Sequence, residues 1–161
     1  SEPETQPYQV IQPTLLRLGP NRLQSMFRSK NERIIQAFSD DNGETWTELA
    51  ESNFPNNNSG IEALTLRDGR HLLLYNHIGG DRKDGWGKRN KLNLAISDDG
   101  KNWKAVTFIE NQKDGEYSYP AMIQTNDGLV HMTYTWRRTK VKHVVIDPAK
   151  IETSDISSFD K

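Results

Sequence analysis

The chain has 161 residues, of which 21 are basic and 22 acidic, so its formal net charge is −1. This length suits one ordinary domain, and the balanced charge argues against a nucleic-acid or anionic-membrane partner, which favours a basic excess. No apolar run approaches the roughly 20 residues of a transmembrane helix, and the absence of cysteine excludes disulfides, thiolate zinc sites and cysteine nucleophiles.

A polar arm over residues 1–9 precedes the predicted elements, and a polar, patternless tail over residues 149–161 follows them. Between the two, short runs rich in β-branched and aromatic residues alternate with turn signals. No segment keeps a helical period for long, so the predicted class is all-β and antiparallel. The predicted strands lie at residues 10–18, 23–28, 33–39, 61–66, 71–76, 92–97, 104–109, 117–124, 129–136 and 141–146.

The predicted strands form a repeat. Similar strands open at residues 12, 61 and 117, and a turn and further strands follow each of them. Four-stranded units of about 40–50 residues are typical of propeller blades, while a single β-sandwich with accidental internal similarity is the alternative. The repeat predicts a partial β-propeller over residues 10–148, with blades at about 10–59, 60–110 and 111–148.

Two turns between predicted strands carry one motif. Residues 39–46 read SDDNGETW, which fits the pattern S-x-D-x-G-x-T-W, and residues 97–103 read SDDGKNW, which is one residue shorter. In such a turn the Asp can accept backbone N–H groups, Gly allows positive φ, and Trp folds back as an apolar plug. The matching residues are Ser39, Asp41, Gly43 and Trp46 in the first turn and Ser97, Asp99, Gly100 and Trp103 in the second.

This motif resembles the Asp-box, or BNR repeat, of the sialidase (neuraminidase) superfamily, and residues 10–148 resemble the C-terminal half of a sialidase propeller. The resemblance implies an all-β, sialidase-type six-bladed β-propeller, of which this chain holds about three blades. Asp-boxes in that family lie at blade corners away from the active site, so they indicate architecture and carry no chemistry.

The resemblance also implies a set of site residues. Sialidases bind the carboxylate of sialic acid with three arginines, and a tyrosine assisted by a glutamate attacks the anomeric carbon. Arg28 and Arg89 match two of the arginines, and Tyr117, in a Tyr-Ser dipeptide, matches the nucleophile. A phenol suits this attack because the substrate carboxylate repels an anionic nucleophile. Lysine would replace either arginine poorly, because only arginine pairs with a carboxylate through two parallel hydrogen bonds.

One position departs from the family's pattern. The glutamate partner of the tyrosine is expected to open the first blade before a proline, and this chain has Gln12 and Pro13 there. Since glutamine cannot take the proton, Glu62 at the start of the next inner strand is the preferred candidate for this catalytic role, with Glu116 as the other candidate. Gln12 is expected to bind the substrate or Tyr117 through hydrogen bonds.

The resemblance thus implies the C-terminal part of a glycoside hydrolase that acts on terminal sialic acid or a related anionic sugar. The isolated chain is expected to be inactive, because the first arginine and the acid/base aspartate belong to blades that it lacks. Two alternatives stay open: a non-catalytic glycan-binding propeller, which Gln12 favours, and an enzyme of the same fold that acts on uronic acids.

The partners implied are a glycan with an anionic terminal sugar and the remaining propeller blades. Those blades would come from an upstream part of a longer protein, from a second copy of the chain or from a separate chain. The four histidines show no spacing typical of metal ligands, so no metal or other cofactor is expected. Relatives of this family are commonly exported, which implies an extracellular or periplasmic location.

Overall fold

The structure is a computed structural model that describes residues 8–80 and 86–160. These residues form eleven strands in three antiparallel sheets, which we name blades. Blade 1 contains β1 (Ile11–Arg17), β2 (Leu23–Arg28), β3 (Arg33–Ser39) and β4 (Ala50–Pro55). Blade 2 contains β5 (Glu62–Thr65), β6 (His71–Tyr75), β7 (Lys91–Ser97) and β8 (Trp103–Asn111). Blade 3 contains β9 (Tyr117–Gln124), β10 (Val130–Trp136) and β11 (Lys140–Ile146).

The strands follow each other as a meander in every blade, and each pairs with its sequence neighbour. The predicted all-β class and the antiparallel pairing are confirmed. Ten of the eleven strands coincide with predicted ones, and β4 is the strand that the sequence did not predict, because its run AESNFP is polar and ends in proline. No helix in the described ranges is long and apolar enough to cross a membrane.

The core lies between the blades, and blade 2 has apolar residues on both faces. Every residue of β6 is buried, because alternate side chains of a strand point to opposite faces of the sheet. Leu73 and Tyr75 join a cluster with Leu16 and Met26 of blade 1. Leu72 and Leu74 join a second cluster, which contains residues of blade 3.

The outer faces of blades 1 and 3 expose large apolar side chains. On blade 1 these are Ile11 and Leu15, and on blade 3 they are Ile123, Val141 and Val145. Exposed apolar surfaces of this kind mark contact sites in soluble proteins.

The C-terminal segment differs from the expected loose tail. After β11 the chain returns to blade 2, where Ser154 and Ala105 exchange backbone hydrogen bonds of 2.9 and 3.0 Å. Phe159 is only 1 % exposed, and its ring packs edge-on against Phe108 with 5.1 Å between centroids. The polar composition hid this contact, because it is made by Ile156 and Phe159, which join the apolar cluster of blades 1 and 2 from within an otherwise polar run.

The first SDD turn, at residues 39–46, is closed by Asp41. Its carboxylate accepts hydrogen bonds from the hydroxyl of Ser39 (2.7 Å) and from both the hydroxyl and the backbone N–H of Thr45 (2.5 and 2.9 Å). These bonds, led by the Thr45 hydroxyl, lower the pKa of Asp41 to about 2. The indole N–H of Trp46 donates to the carbonyl of Gly43, whose φ is +98°.

The second turn, at residues 97–103, repeats this arrangement one residue shorter. The carboxylate of Asp99 accepts the backbone N–H groups of Lys101 (2.8 Å) and Asn102 (2.7 Å), and these bonds lower its pKa. The indole N–H of Trp103 donates to the carbonyl of Gly100 at 3.0 Å. The two turns therefore share the carboxylate cap, the left-handed glycine and the indole bond, although their lengths differ.

Candidate functional site

The first residues of the three inner strands meet at one end of the blades. A Cβ atom added to Gly60 would lie 3.9 Å from Oε1 of Gln12 and 3.8 Å from Cα of Tyr119. Gln12 and Tyr119 both have left-handed backbone, with φ of 51° and 54°, and both precede a proline. The pairing register shifts at Gln12 in β1 and beside Tyr119 in β9. Such bulges re-aim side chains and are common beside active sites.

Arg28 lies at the end of β2 and is 5 % exposed. Its Nη1 donates to Oε1 of Gln12 at 2.8 Å, and its Nε donates to Oδ1 of Asn58 at 3.1 Å. Its Nη2 also donates to the backbone carbonyl oxygen of Asn58. The structure therefore brings together Arg28 and Gln12, two of the residues that the sequence assigned to substrate binding.

Arg89 lies directly before β7, is 7 % exposed, and reaches the same carbonyl oxygen of Asn58, with 3.3 Å from its Nη2. Its Nη1 has no hydrogen-bond partner among the described residues. No carboxylate in the described ranges pairs with Arg28 or Arg89. The pocket thus contains two adjacent positive charges with no counter-ion among the residues that the structure describes.

The electrostatics of Arg28 reflect this arrangement. Burial is the largest cause that lowers its pKa, and the positive charge of Arg89 lowers it further. The phenol of Tyr119 lies beside the guanidinium and acts in the opposite direction. Arginine stays protonated at any ordinary pH, so Arg28 keeps its charge although burial and Arg89 make that charge unfavourable. A bound anion would offset this unfavourable free energy.

The indole of Trp86 covers the two arginines. Cζ of Arg89 lies 5.3 Å and Cζ of Arg28 lies 5.9 Å from its ring centroid, which is within cation–π range. The ring is half exposed. Trp86 therefore adds an aromatic wall to the pocket, of the kind against which a sugar ring can pack.

Tyr117 lies elsewhere. Its side chain is fully buried in the apolar cluster between blades 2 and 3, edge-on to Tyr134 with 6.4 Å between ring centroids. Its hydroxyl is enclosed and has no hydrogen-bond partner in the described residues. This position does not suit the nucleophile expected from the sequence. The phenol that lies beside Arg28 belongs to Tyr119, which is 49 % exposed.

Glu62 is half buried on β5, and its carboxylate lies near the backbone N–H of Met122 on β9. Burial raises its pKa, and this N–H opposes that shift. The hydroxyl of Tyr117 therefore forms no hydrogen bond with Glu62, contrary to the pairing expected from the sequence. The other candidate, Glu116, is engaged in an ion pair with Arg138 at 2.6 Å.

Asn58, Trp86 and Tyr119 lie beside the expected arginines, and none of them was among the site residues assigned from the sequence. The signal for Tyr119 is present in the chain, since Tyr119-Pro120 repeats Gln12-Pro13 at the start of an inner strand. Asn58 carries no such signal, because its contribution is largely a backbone carbonyl. The described residues contain no group of three or more acidic or histidine side chains that could hold a metal ion.

A comparison with family models finds a match to the BNR repeat-like domain over residues 2–132. A search of curated proteins finds no match.

Among solved structures, the chain is similar to the NanB sialidase from Streptococcus pneumoniae, at a TM-score of 0.67 and 12 % identity over 87 % of this chain and 24 % of that chain. It is also similar to the GH93 α-L-arabinofuranosidase of Fusarium graminearum, at a TM-score of 0.64 and 19 % identity over 96 % of this chain and 51 % of that chain. A third similar structure is the leech intramolecular trans-sialidase, with a TM-score of 0.57 and 17 % identity over 91 % of this chain and 24 % of that chain.

The chain thus spans about a quarter of the two sialidase chains and about half of the arabinofuranosidase chain. Because the three sequence identities lie between 12 and 19 %, the similarity is one of fold alone. The three sheets are blades of a sialidase-type β-propeller, and the predicted partial propeller of about three blades is confirmed.

Proposed function

The chain belongs to the family of BNR repeat-like domains, and from this we propose that it is the anion-binding part of a sialidase-like glycoside hydrolase that acts on a terminal acidic sugar. One observation carries the proposal: Arg28 and Arg89 are buried side by side with no carboxylate partner in the described residues. Buried charges are normally paired, so this pair is suited to an anion supplied by the substrate.

The proposed binding roles follow from the donors left over. Nη1 of Arg89 has no partner among the described residues, and Arg28 keeps one N–H on each of its terminal nitrogens. These groups would hold the sugar carboxylate through charge-assisted hydrogen bonds. Gln12 accepts from Arg28 through Oε1, which leaves its amide nitrogen to donate to the sugar.

For the chemical step we propose Tyr119, instead of Tyr117, as the nucleophile. Its phenol oxygen would attack the anomeric carbon, the bond to the leaving alcohol would break, and water would then hydrolyse the aryl glycoside. Glu62 is the described carboxylate on the neighbouring inner strand, and burial raises its pKa, which makes it a better acceptor for the phenol proton. The remaining arginine and the acid/base group would belong to other blades.

The test uses the complete propeller that contains this chain, with fluorogenic sialoside, glucuronide and arabinofuranoside substrates. Hydrolysis of one of the two acidic substrates is expected. Arg89→Gln should lower kcat/KM about 10- to 100-fold, because one hydrogen bond between charged groups is worth roughly 1.5–3 kcal/mol. Arg70→Gln is the matched control, since Arg70 pairs with Asp68 in a surface turn. Full activity in the Arg28, Arg89 double variant would refute the proposal.

Two other functions are separated by the same assay. The similarity to an arabinofuranosidase over half of that chain raises a neutral arabinofuranoside as substrate, and its hydrolysis with no loss in the Arg89 variant would establish it. Gln12 in place of the family's glutamate raises a non-catalytic glycan-binding protein. Recovery of the bound acidic sugar intact, with no turnover, would favour that reading.

We further propose that more propeller blades cover the apolar outer faces of blades 1 and 3 and that the protein works outside the cytoplasm. The exposed Leu15 and Ile123 support the first statement. The family resemblance supports the second.

A further inference from the structure

The connection between blades 1 and 2 contains a buried polar loop, which we name the Asn loop (residues 56–59). Its four residues, three asparagines and a serine, are at most 2 % exposed. Asn56 holds the loop through its side chain, because Oδ1 accepts the N–H of Asn58 at 3.0 Å and Nδ2 donates to the carbonyl of Ser59 at 3.2 Å. These two bonds hold the backbone of the Asn loop in the conformation observed.

Asn58 adopts a left-handed conformation in this loop, with φ of +56°. Asparagine tolerates this region better than other residues that carry a Cβ atom, and alanine does not share that tolerance. The conformation directs the carbonyl oxygen of Asn58 at the arginines, where it accepts Nη2 of Arg28 and Nη2 of Arg89. Its side chain accepts Nε of Arg28 as well.

A single carbonyl oxygen that serves two guanidinium groups has a physical consequence. Two like charges repel, and in the absence of an anion each arginine would gain by turning away from the other. The negative end of the peptide dipole lies between them and offsets part of that repulsion. Among the described residues, Nη1 of Arg89 has no partner, and each terminal nitrogen of Arg28 keeps one N–H beyond its bond to Gln12 or Asn58.

We propose that Asn58 is a positioning residue, whose left-handed backbone carbonyl holds Arg28 and Arg89 together before the acidic sugar arrives. This inference rests on the proposed function of the two arginines and adds the group that pre-organises them. Asn58 touches the arginines and not the reacting atoms, so its effect is on affinity and on KM more than on kcat.

Three substitutions separate the backbone from the side chain. Asn58→Gly keeps access to the left-handed region and removes only the Oδ1 contact, whereas Asn58→Ala disfavours that region. Asn58→Asp keeps the shape and adds a carboxylate beside Arg28, which competes with the ligand. The matched control is Asn42→Ala, because Asn42 also has left-handed backbone (φ of +61°) but lies in the first SDD turn.

Binding to the complete propeller that contains this chain is measured by calorimetry, with N-acetylneuraminate and glucuronate as probes. For the acid that binds the wild-type protein, Asn58→Ala should raise Kd at least about tenfold and Asn58→Asp further, while Asn58→Gly stays within about threefold. Asn42→Ala should leave Kd unchanged even where it lowers the melting temperature. Equal Kd for Asn58→Ala and the wild type, with binding lost in Arg89→Gln, would overturn the positioning role and leave the proposed function standing.

A second readout needs no sugar. In ¹⁵N spectra of the arginine side chains, assigned with Arg28→Lys and Arg89→Lys, the held guanidinium groups should show slow rotation in the ligand-free wild type. Asn58→Ala should speed that rotation for both arginines, and Asn58→Gly should preserve it for Arg89. If no acidic sugar binds the wild type, the proposed function fails, and these spectra still decide the role of Asn58. Identical spectra in Asn58→Ala and the wild type would overturn it.

Discussion

Gln12 accepts a hydrogen bond from Arg28, with 2.8 Å between Oε1 and Nη1, at the position where the sialidase pattern has glutamate. A neutral acceptor leaves the positive charge of Arg28 uncompensated. A glutamate in its place would form an ion pair with Arg28, and its carboxylate would compete with that of an acidic ligand for the guanidinium group. The choice of glutamine at residue 12 therefore bears directly on anion affinity.

We expect Gln12→Glu to weaken the binding of N-acetylneuraminate about tenfold, because the new carboxylate competes with that of the sugar for the arginines. The measurement is calorimetric Kd at low ionic strength. Gln124→Glu is the control, since Gln124 lies at the other end of β9 and accepts the N–H of Arg67 at 2.9 Å. Tighter binding by Gln12→Glu would show that the pocket does not select anions through Arg28.

The two tyrosines of β9 should behave in opposite ways. Tyr117→Phe removes an enclosed hydroxyl that has no partner among the described residues. The free energy of unfolding should therefore rise by up to about 1 kcal/mol in urea denaturation, since the buried group no longer has to be desolvated. Tyr119→Phe changes a half-exposed side chain and should leave stability within about 0.5 kcal/mol while abolishing hydrolysis by the complete propeller. Hydrolysis that is abolished by Tyr117→Phe and retained in Tyr119→Phe would instead identify Tyr117 as the nucleophile.

The first SDD turn should make stability depend on acid pH. The pKa of Asp41 is lowered to about 2 in the folded chain, against about 3.9 in an unfolded one. A lowered folded pKa contributes stability above the unfolded value, and that contribution is lost as the pH falls through the folded value. Asp41→Asn should therefore lower the melting temperature at pH 7, and the difference from wild type should shrink towards pH 2.

Asp40→Asn serves as the comparison for that series, because Asp40 is adjacent and forms only an exposed pair with Arg22, a type that contributes little. A melting-temperature difference for Asp41→Asn that stays constant from pH 7 to pH 2 would mean that the carboxylate cap does not act through its charge.

The C-terminal segment should contribute strongly to stability. Phe159→Ala removes a ring that is buried against Phe108 and His77, and Phe→Ala changes in cores cost about 3–5 kcal/mol. We expect about 3 kcal/mol in urea denaturation, with faster amide exchange in β8. Ser157→Ala, on the exposed side of the same segment, should be nearly neutral. A loss below about 1 kcal/mol would indicate that the segment detaches without disturbing blade 2.

The sequence could predict the strands because alternating apolar side chains and turn residues are local signals. The resemblance to the sialidase pattern also pointed to Arg28, at the end of the second strand of blade 1, and to Arg89, before the third strand of blade 2, and the structure places the two side by side. The sequence could not place the tyrosine. In a regular strand residues 117 and 119 share a face, but the left-handed backbone at Tyr119 and the register shift beside it break that alternation. As a result Tyr117 joins Met122 in the core, while Tyr119 is left half exposed.

The contribution of Asn58 and the docking of the C-terminal segment are beyond sequence reasoning for a different reason. A backbone carbonyl has no residue type, so its contact with two arginines is visible only once the loop conformation is known. Phe159 contacts Phe108, which is about 50 residues earlier in the chain, and the polar run around Phe159 contains no pattern that predicts this partner.

The burial of the Asn loop has a practical consequence for producing this protein. Asn57-Asn58-Ser59 fits the acceptor pattern for N-linked glycosylation, yet the amide of Asn57 is enclosed, donating to the carbonyl of Lys88 and accepting from Ser59. In a eukaryotic secretory host, an oligosaccharide attached to Asn57 before folding would have no room in the native loop. Such a host would yield misfolded material, and either a bacterial host or Ser59→Ala would avoid the modification.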